Sequence, residues 1–187
     1  MTDVYLYDAV RTPRGKARPD GGLANLSPQE LVRQQAAALA TRCGDVVARP
    51  DASILGCVTQ TGAQGGHLAM LAKLHGDLPD TTAVQTINNY CASGLSAIGQ
   101  AVARVASGQA SLILAGGVES MSAVPFLSDR AAFYGNDELP PRARFVPPVL
   151  AADRLANSEG ITRAEHDAAA LTSQQRAAAT DRDPARQ

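Results

Sequence analysis

One cysteine lies where nucleophilic chemistry is expected, at the point where a predicted strand turns sharply into a predicted helix. The segment covers residues 85–98 and reads QTINNYCASGLSAI, with Cys91 at the turn. A strand-to-helix turn of this kind pushes its side chain out of the sheet. The positive end of the helix dipole favours the thiolate, which is the nucleophilic form of the side chain. Small residues follow at Ala92, Ser93 and Gly94, so an acyl group can approach closely.

The backbone at this turn offers a second catalytic feature. The N–H of Cys91 is expected to be free to donate a hydrogen bond to a developing oxyanion. Attack of the thiolate on an activated carbonyl, with a covalent acyl-enzyme, is therefore one interpretation. The other is a buried, unreactive thiol, which is the usual state of a free cysteine. The local pattern leaves both interpretations open.

The elements that position Cys91 alternate between strand and helix. The sequence predicts strands over residues 4–10, 52–59, 82–87 and 111–115, and helices over residues 28–43, 67–74, 94–107, 149–158 and 163–181. This βαβαβαβ order predicts an α/β fold whose sheet is covered by helices on both faces. In the helix after Cys91, apolar residues recur at spacings of three and four and predict one buried stripe, formed by Leu95, Ile98, Val102 and Val105.

Helix termini and a change in composition mark the remaining boundaries. Ser27 followed by Pro28 and Glu30 predicts a capped helix start with a capping box, and Thr162 with Glu165 predicts another. After Gly117 the pattern becomes irregular, and residues 125–148 contain five prolines. We therefore divide the chain into an α/β domain over residues 1–118 and a second region over residues 119–187.

Composition excludes several functional classes. The 187 residues include 17 basic and 18 acidic side chains, for a net charge of −1, whereas a nucleic-acid-binding domain carries a basic surplus. With 45% hydrophobic and 19% charged residues, the chain is not a disordered one. Three cysteines, an odd number, favour free thiols in a reducing compartment, so we expect a cytoplasmic protein.

Neither a targeting segment nor a membrane span is expected. Asp3 lies in a start that has no apolar region, which argues against a signal peptide. Residues 81–103 carry no charge, but they contain Gln85, Asn88, Asn89 and Gln100, whose amides are costly in lipid. We interpret this stretch as a buried strand that runs into a buried helix.

Four segments resemble thiolases, the acyl-CoA C-acyltransferases. Residues 87–98 (INNYCASGLSAI) are similar to the active-site signature of that family, and residues 116–122 (GGVESMS) to a second motif. Residues 10–15 (VRTPRG) resemble its N-terminal strand and loop, and residues 161–175 a helix of its inserted loop domain. Because the matches follow the family's order from residue 4 to about residue 180, the chain is identified as a member of the thiolase family.

The resemblance implies a fold and a reaction. The fold is a thiolase-like mixed sheet with helices on both faces, plus the start of a helical loop domain in residues 119–187. Cys91 matches the cysteine that takes an acyl group from acyl-CoA as a thioester. In the degradative direction, as in β-oxidation of fatty acids, its thiolate attacks the 3-keto carbon of a 3-ketoacyl-CoA. Acetyl-CoA then leaves, and the shortened acyl group passes to CoA. In the synthetic direction, two acyl-CoA molecules condense. CoA is thus a substrate, and neither a metal nor a prosthetic group is implied.

This sequence departs from the family pattern in length. The family's second half carries a Gly-His-Pro histidine that activates the nucleophile, a cysteine in a Cys-x-Gly context and an oxyanion-site asparagine. None of His67, His75 and His166 lies in Gly-His-Pro, and neither Cys43 nor Cys57 lies in Cys-x-Gly. We therefore expect family membership without complete catalysis by this chain alone.

The missing half has structural consequences as well. In the family, the sheet receives its last strand after the loop domain, and the whole half packs on a similar second half. Without them, we expect an open sheet edge and an uncovered apolar face. The expected partners are therefore CoA thioesters together with a homodimer, a homotetramer or a second chain that supplies the rest. The alternative is a gene fragment.

Other polar residues are weaker candidates. The resemblance implies that Glu119 orients the nucleophile loop. We interpret His67 as a surface or packing residue rather than a cleft residue, and here the chain lacks the Asn-Pro-x-Arg of related thiolases. Gln64 and Asn89 are candidate cleft-side amides without an assigned role.

Basic residues provide candidate anion contacts. Arg142 and Arg144, in the proline-rich stretch, suit CoA phosphates, but solvated surface is the preferred interpretation. A second basic group consists of Arg11, Arg14, Lys16 and Arg18. We expect this group to contact either a partner subunit or a ligand.

Two other functional classes stay open beside the acyltransferase. One is a non-catalytic binding or structural subunit of thiolase ancestry. The other is a ketosynthase relative that condenses acyl groups on a carrier protein, although Ala-Ser-Gly-Leu after Cys91 fits thiolases better.

Overall fold

The computed structural model describes residues 3–181, which divide into two compact units. The first unit ends at Arg130 and the second begins at Ala131. Residues 119–130 therefore lie with the sheet, and the division proposed between residues 118 and 119 stays a prediction.

The first unit has an α/β fold, as predicted. Its helices are α1 (Pro28–Cys43), α2 (Leu68–His75) and α3 (Ser93–Ala106), and its strands are β1 (Ala52–Gly56), β2 (Ala83–Ile87) and β3 (Ile113–Gly117). The strands form a sheet of order β2-β1-β3, and both pairings are parallel. Within residues 3–181 all three strands are parallel, so the structure describes the parallel part of the expected sheet.

Helices cover both faces of the sheet, which confirms the prediction. Ile54 and Leu55 are consecutive in β1, so their side chains point to opposite faces. Ile54 packs with Ala97 of α3, whereas Leu55 packs with Ala69 and Ala72 of α2. The two cores place α3 on one side of the sheet and α2, with α1 beside it, on the other.

The predicted strand over residues 4–10 is not a strand in the structure. Its backbone makes no sheet pairing, and Tyr5, Leu6 and Tyr7 are exposed. A strand needs a neighbouring strand to satisfy its N–H and C=O groups, and among the described residues no strand pairs with this segment. Instead, Asp8 accepts from Arg42 at 2.8 Å, which attaches the segment to the end of α1.

The predicted buried stripe of α3 is also wrong. The helix buries Ser93, Ala97 and Ala101, which repeat every four residues and face the sheet. The larger side chains point away from it, and their exposed fractions are Leu95 74%, Ile98 43% and Val102 46%. The small residues allow α3 to approach the sheet closely, so the apolar face of the larger residues is left without cover in this unit.

Strand β3 begins two residues later than predicted. The N–H groups of Ser111 and Leu112 both donate to Asp51, at 2.6 and 3.1 Å, instead of entering the sheet ladder. These two backbone hydrogen bonds hold the pKa of the Asp51 carboxyl below its ordinary value. The outer edge of β3 has no paired strand within residues 3–181.

One of the two predicted capping boxes is complete. Thr162 and Glu165 exchange hydrogen bonds, with the Thr162 N–H donating to Glu165 at 2.8 Å and the Glu165 N–H donating to Thr162 Oγ1 at 3.3 Å. Ser27 Oγ accepts from the Glu30 N–H at 3.3 Å, but the Glu30 carboxylate binds Arg33 instead of returning to residue 27. A stronger charged partner one turn along the helix explains the difference.

The second unit consists of irregular chain and two helices. Helix α4 covers Pro148–Glu159 and helix α5 covers Arg163–Asp181, close to the predicted bounds. The proline-rich stretch forms short 3-10 turns and an aromatic cluster, in which the ring centroid of Phe145 lies 6.0 Å from Phe133 and 5.0 Å from Tyr134.

The uncharged stretch over residues 81–103 forms β2 and most of α3, which confirms the predicted strand and helix. Their predicted burial is wrong, because β2 is only half-buried and α3 exposes its larger side chains. Over residues 3–181, the helices fall short of the length and apolar character that crossing a membrane requires.

Candidate active site

Cys91 lies on the short connection between β2 and α3. Strand β2 ends at Ile87, α3 begins at Ser93, and the Cys91 side chain is exposed. The preceding residue, Tyr90, has φ = +48°, a left-handed conformation that non-glycine residues rarely adopt. Such strain is retained only where the surroundings impose it. The predicted turn with an outward-facing thiol is therefore present.

The first turn of α3 is tied back to this connection. Ser93 Oγ accepts from the Asn89 N–H at 2.8 Å and donates to the Tyr90 carbonyl at 2.6 Å. The Asn89 side chain donates to Ser96 Oγ at 2.8 Å. Asn89 therefore secures the helix start through one of its two amide N–H groups, and its place beside a cleft stays a prediction.

Glycines bring the helix start against the sheet. A Cβ on Gly56 would lie 2.6 Å from the Gly94 nitrogen, and a Cβ on Gly117 would lie 3.3 Å from the Gly94 Cα. Because only glycine leaves this space, the strand ends of β1 and β3 contact the backbone of α3 directly. The position of the helix start, and of Cys91 just before it, is thereby fixed relative to both strands.

Asn88 joins the connection to a second loop, and sequence analysis assigned it no role. Its amide group donates to the Val58 carbonyl at 3.2 Å and accepts from the Tyr90 N–H at 2.9 Å. An asparagine two residues before a backbone N–H is a recognisable turn signal. The contact with Val58, 30 positions away, has no such signal in the sequence.

Glu119 holds the loop that follows β1. Its carboxylate accepts from the Val58 N–H at 2.7 Å and from the Thr59 N–H at 3.2 Å. These groups donate to Glu119 instead of to a neighbouring strand, which explains why β1 ends at Gly56 and not at residue 59. The orienting role implied for Glu119 thus has a contact path, through Val58 to the connection that carries Cys91.

Gln64 is completely buried, so its predicted place beside a cleft is wrong. It donates to Glu119 at 2.8 Å and to the Thr59 carbonyl at 3.0 Å, and it accepts from the Ser120 N–H. The amide thus satisfies donors and acceptors from two loops at once. A buried amide with all these partners is a structural link between the chain after β1 and the chain after β3.

The three cysteines have different environments, and none forms a disulfide. Cys57 is buried next to Glu119, and burial followed by the nearby carboxylate raises its pKa to about 12. Cys43 is partly buried, and desolvation with a hydrogen bond to Asp8 raises its pKa. Cys91 is therefore the exposed thiol of the set, and the other two, whose pKa values are raised, provide less nucleophilic references in the same chain.

His67 and His75 both make contacts that hold α2 in place. His67 Nδ1 accepts from the Met70 N–H at 3.1 Å and caps α2, in agreement with the packing interpretation. His75 Nε2 lies 2.8 Å from Glu30 and joins α2 to α1. His166 lies in α5 of the second unit. Among the described residues, no histidine is hydrogen-bonded to Cys91.

The basic candidate residues differ in whether they are hydrogen-bonded within their own loop. Arg144 donates to the Asp137 and Leu139 carbonyls at 2.6 and 2.8 Å, so it stabilises its own loop, whereas Arg142 is exposed. Arg11 and Arg14 line a cavity of about 660 Å³ between the N-terminal loop, α1 and residues 117–122. Cys91 does not line this cavity.

Within residues 3–181, no three side chains of the metal-ligating types come together. The described site therefore consists of an exposed thiol before a helix N-terminus, carried by a connection that two other loops hold in place. This arrangement can present a nucleophile, but the described residues place no proton acceptor beside it.

Comparison with known proteins identifies this arrangement. The family model of the thiolase N-terminal domain matches residues 4–184. A beta-ketoadipyl-CoA thiolase of Pseudomonas knackmussii is 38% identical over 190 residues, which cover 92% of this chain and 47% of the relative. A 3-oxoadipyl-CoA/3-oxo-5,6-dehydrosuberyl-CoA thiolase of Escherichia coli K12 is 35% identical over 195 residues, with 95% and 48% covered.

A solved structure agrees with these relatives. The crystal structure of human mitochondrial 3-ketoacyl-CoA thiolase in complex with CoA superimposes with a TM-score of 0.71 at 29% identity, over 88% of this chain and 45% of that one. The chain spans about half the length of the curated relatives it matches. It belongs to the thiolase family, and the part it matches is the N-terminal domain.

Proposed function

We propose that this chain is the nucleophile-bearing half of an acyl-CoA C-acyltransferase. The observation that carries the proposal is the exposed Cys91 thiol on a left-handed turn directly before α3, in a chain of the thiolase family. The thiolate attacks the thioester carbonyl of an acyl-CoA, CoA leaves as its thiolate, and the acyl group stays on Sγ as a new thioester. The Cys91 N–H is the proposed donor to the oxyanion formed during this step.

The finer assignments follow from the same chemistry. CoA thioesters are the substrates, and no metal or prosthetic group takes part. The relatives include beta-ketoadipyl-CoA and 3-ketoacyl-CoA thiolases, so we place the reaction in the metabolism of 3-oxoacyl-CoA compounds, of which β-oxidation of fatty acids is one setting. The free thiols favour a reducing compartment, and we propose the cytoplasm.

A complete turnover requires groups that lie outside the described residues. Nothing within residues 3–181 provides a base in contact with Cys91, and the larger apolar side chains of α3 are exposed. We propose that further polypeptide covers this face and supplies the proton transfer. The exposed apolar residues favour one further candidate, a binding subunit that assembles on the same face without acylation.

Acylation of the purified chain distinguishes these functions. The protein is incubated with acetyl-CoA and digested. Mass spectrometry then measures the masses of the peptides that contain Cys43, Cys57 and Cys91. We expect an acetyl group on Cys91 alone, and none on the corresponding peptide of the Cys91→Ala variant. A wild-type chain that assembles with a partner but acquires no acetyl group would support the binding subunit.

A further inference from the structure

Asn88 bridges the two loops that end β1 and β2. Its Nδ2 donates to the Val58 carbonyl at 3.2 Å, and its Oδ1 accepts from the Tyr90 N–H at 2.9 Å. One amide group therefore contacts the loop after β1 on one side and the residue before Cys91 on the other. Val58 is itself held by its own N–H, which donates to Glu119 at 2.7 Å.

The backbone conformation at Tyr90 gives this bridge its importance. Tyr90 has φ = +48°, which an L-residue with a large side chain avoids unless contacts impose it. Three hydrogen bonds involve the backbone of this residue. Asn88 Oδ1 accepts from its N–H, and its carbonyl accepts from Ser93 Oγ at 2.6 Å and from the Ser93 N–H at 3.0 Å. The bonds that join Tyr90 to Asn88 and Ser93 all lie within the turn, and the second hydrogen bond of Asn88, to the Val58 carbonyl, connects the turn to a different strand end.

We propose that Asn88 is a positioning residue for the Cys91 nucleophile, acting through Tyr90 and Val58. Without its amide, Tyr90 relaxes toward the ordinary negative-φ region, and the Cys91 Sγ turns away from the helix N-terminus and from the approach of the thioester. The inference deepens the proposed function and rests on it. Asn88 and its partner Tyr90 are exposed and Val58 is half-buried, so removing the amide leaves no fully buried group without a partner, and Asn88 belongs to neither core.

The same loop offers a matched control. Gln60 is also an exposed amide, and it donates to the Cys57 carbonyl at 3.0 Å. Both side chains thus donate to consecutive carbonyls of the loop after β1, but no hydrogen bond joins Gln60 to the turn that carries Cys91. Gln60→Ala removes a comparable loop contact and leaves the bridge intact.

The experiment compares acetylation with alkylation of Cys91 in the whole chain. Rates of acetyl transfer from acetyl-CoA and of reaction with iodoacetamide are measured at Cys91 in the wild type, Asn88→Ala, Asn88→Ser and Gln60→Ala. Both reactions use the thiolate, so a change in the thiolate fraction alters both rates. Acetyl transfer from the bulky thioester additionally needs an oriented Sγ, so the ratio of the two rates reports orientation. Urea unfolding of each variant measures stability separately.

We expect Asn88→Ala to lower the acetylation-to-alkylation ratio by about tenfold, as a small misplacement of a reacting atom does. Asn88→Ser retains an acceptor for the Tyr90 N–H but is too short to reach Val58, so its ratio should lie between those of the wild type and the alanine variant. Gln60→Ala should keep the wild-type ratio.

The outcomes separate the two proposals. If the wild type acquires no acetyl group on Cys91, the proposed function fails and this inference fails with it. If the wild type is acetylated and Asn88→Ala keeps the same ratio, the positioning role is wrong while the proposed function stands. A wild-type ratio in Asn88→Ser would likewise contradict the need for the Val58 contact, and a loss in Gln60→Ala equal to that in Asn88→Ala would show a general effect of the loop.

Discussion

Gly56, the last residue of β1, lies directly against Ser93, the first residue of α3. A Cβ at position 56 would meet the Ser93 side chain at 2.7 Å and the Gly94 nitrogen at 2.6 Å, closer than such atoms normally approach. The central strand therefore sets where α3 begins, and Cys91 lies two residues earlier in the chain. The position of the thiol therefore depends on the absence of a side chain at Gly56 in the neighbouring strand.

Replacing Gly56 with alanine should displace the helix start. The added methyl group meets backbone atoms that cannot rotate away, so we expect a loss of about 1–3 kcal/mol in the free energy of unfolding. Acetyl transfer to Cys91 should decrease as well. Gly116→Ala is the matched control, because a Cβ on this glycine of β3 has no atom within 4 Å. If Gly116→Ala lowered the free energy of unfolding in urea as much as Gly56→Ala does, the packing role of Gly56 would be wrong.

Glu119 should contribute to stability through the loop after β1. In Glu119→Gln the charge is lost, and an amide N–H₂ meets groups that also donate, namely the N–H groups of Val58 and Thr59. We expect the free energy of unfolding to fall by about 1–3 kcal/mol, measured by urea denaturation. Glu138→Gln, at an exposed position, should leave the urea midpoint almost unchanged. Equal midpoints in the two variants would show that the Glu119 contacts contribute nothing measurable.

The charge of Asp51 should make stability depend on pH in the acid range. Its folded-state pKa is lowered by the N–H groups of Ser111 and Leu112, so the unfolded chain binds the proton more readily. This contribution is present above the unfolded pKa of about 4 and is lost as the pH falls through the folded pKa. Asp51→Asn should therefore lower the urea midpoint at pH 7, with a difference that shrinks toward pH 3. A difference that stays constant between pH 7 and pH 3 would exclude an effect of the charge.

The two apolar faces of α3 should respond differently to substitution. Ala97 is completely buried against Ile54, so Ala97→Leu should cost about 1–3 kcal/mol of unfolding free energy. Leu95 and Val102 are exposed, and replacing both with lysine should change the free energy of unfolding by less than about 0.5 kcal/mol per site. The lysine variant should also associate less in sedimentation experiments, because it removes an exposed apolar patch. A large loss of stability in the lysine variant would contradict the observed orientation of the helix.

Local sequence patterns predict the strand and the helix around Cys91. They do not predict which face of the helix is buried, because that depends on residues distant in the sequence. The helix after Cys91 follows from apolar residues at spacings of three and four, all within twenty positions of the cysteine. The buried face of α3 was predicted wrongly because apolar periodicity ranks Leu95 and Val102 above Ala97 and Ala101. Closeness to the sheet, which depends on Gly56 and Gly117 far away in the chain, selects the small residues instead.

The contacts that hold the site are the least visible in the sequence. Gln64 is a buried link between two loops because it meets Glu119, 55 positions away, and nothing near residue 64 marks that partner. The strand predicted at residues 4–10 has the right residue types, but strand formation requires a neighbour that the described chain does not place beside it. In both cases, the deciding partner is distant in the sequence or absent from the described residues.

Differential labelling tests most directly whether Cys91 is the nucleophile of this chain. The protein is treated with iodoacetamide with and without prior incubation with acetyl-CoA, and all three cysteines are quantified in one digest. We predict that Cys91 reacts fastest and is protected by acetyl-CoA, that Cys43 reacts slowly, and that Cys57, with its pKa near 12, reacts only after unfolding. Alkylation of Cys91 no faster than of Cys43, with no protection by acetyl-CoA, would contradict this role of Cys91.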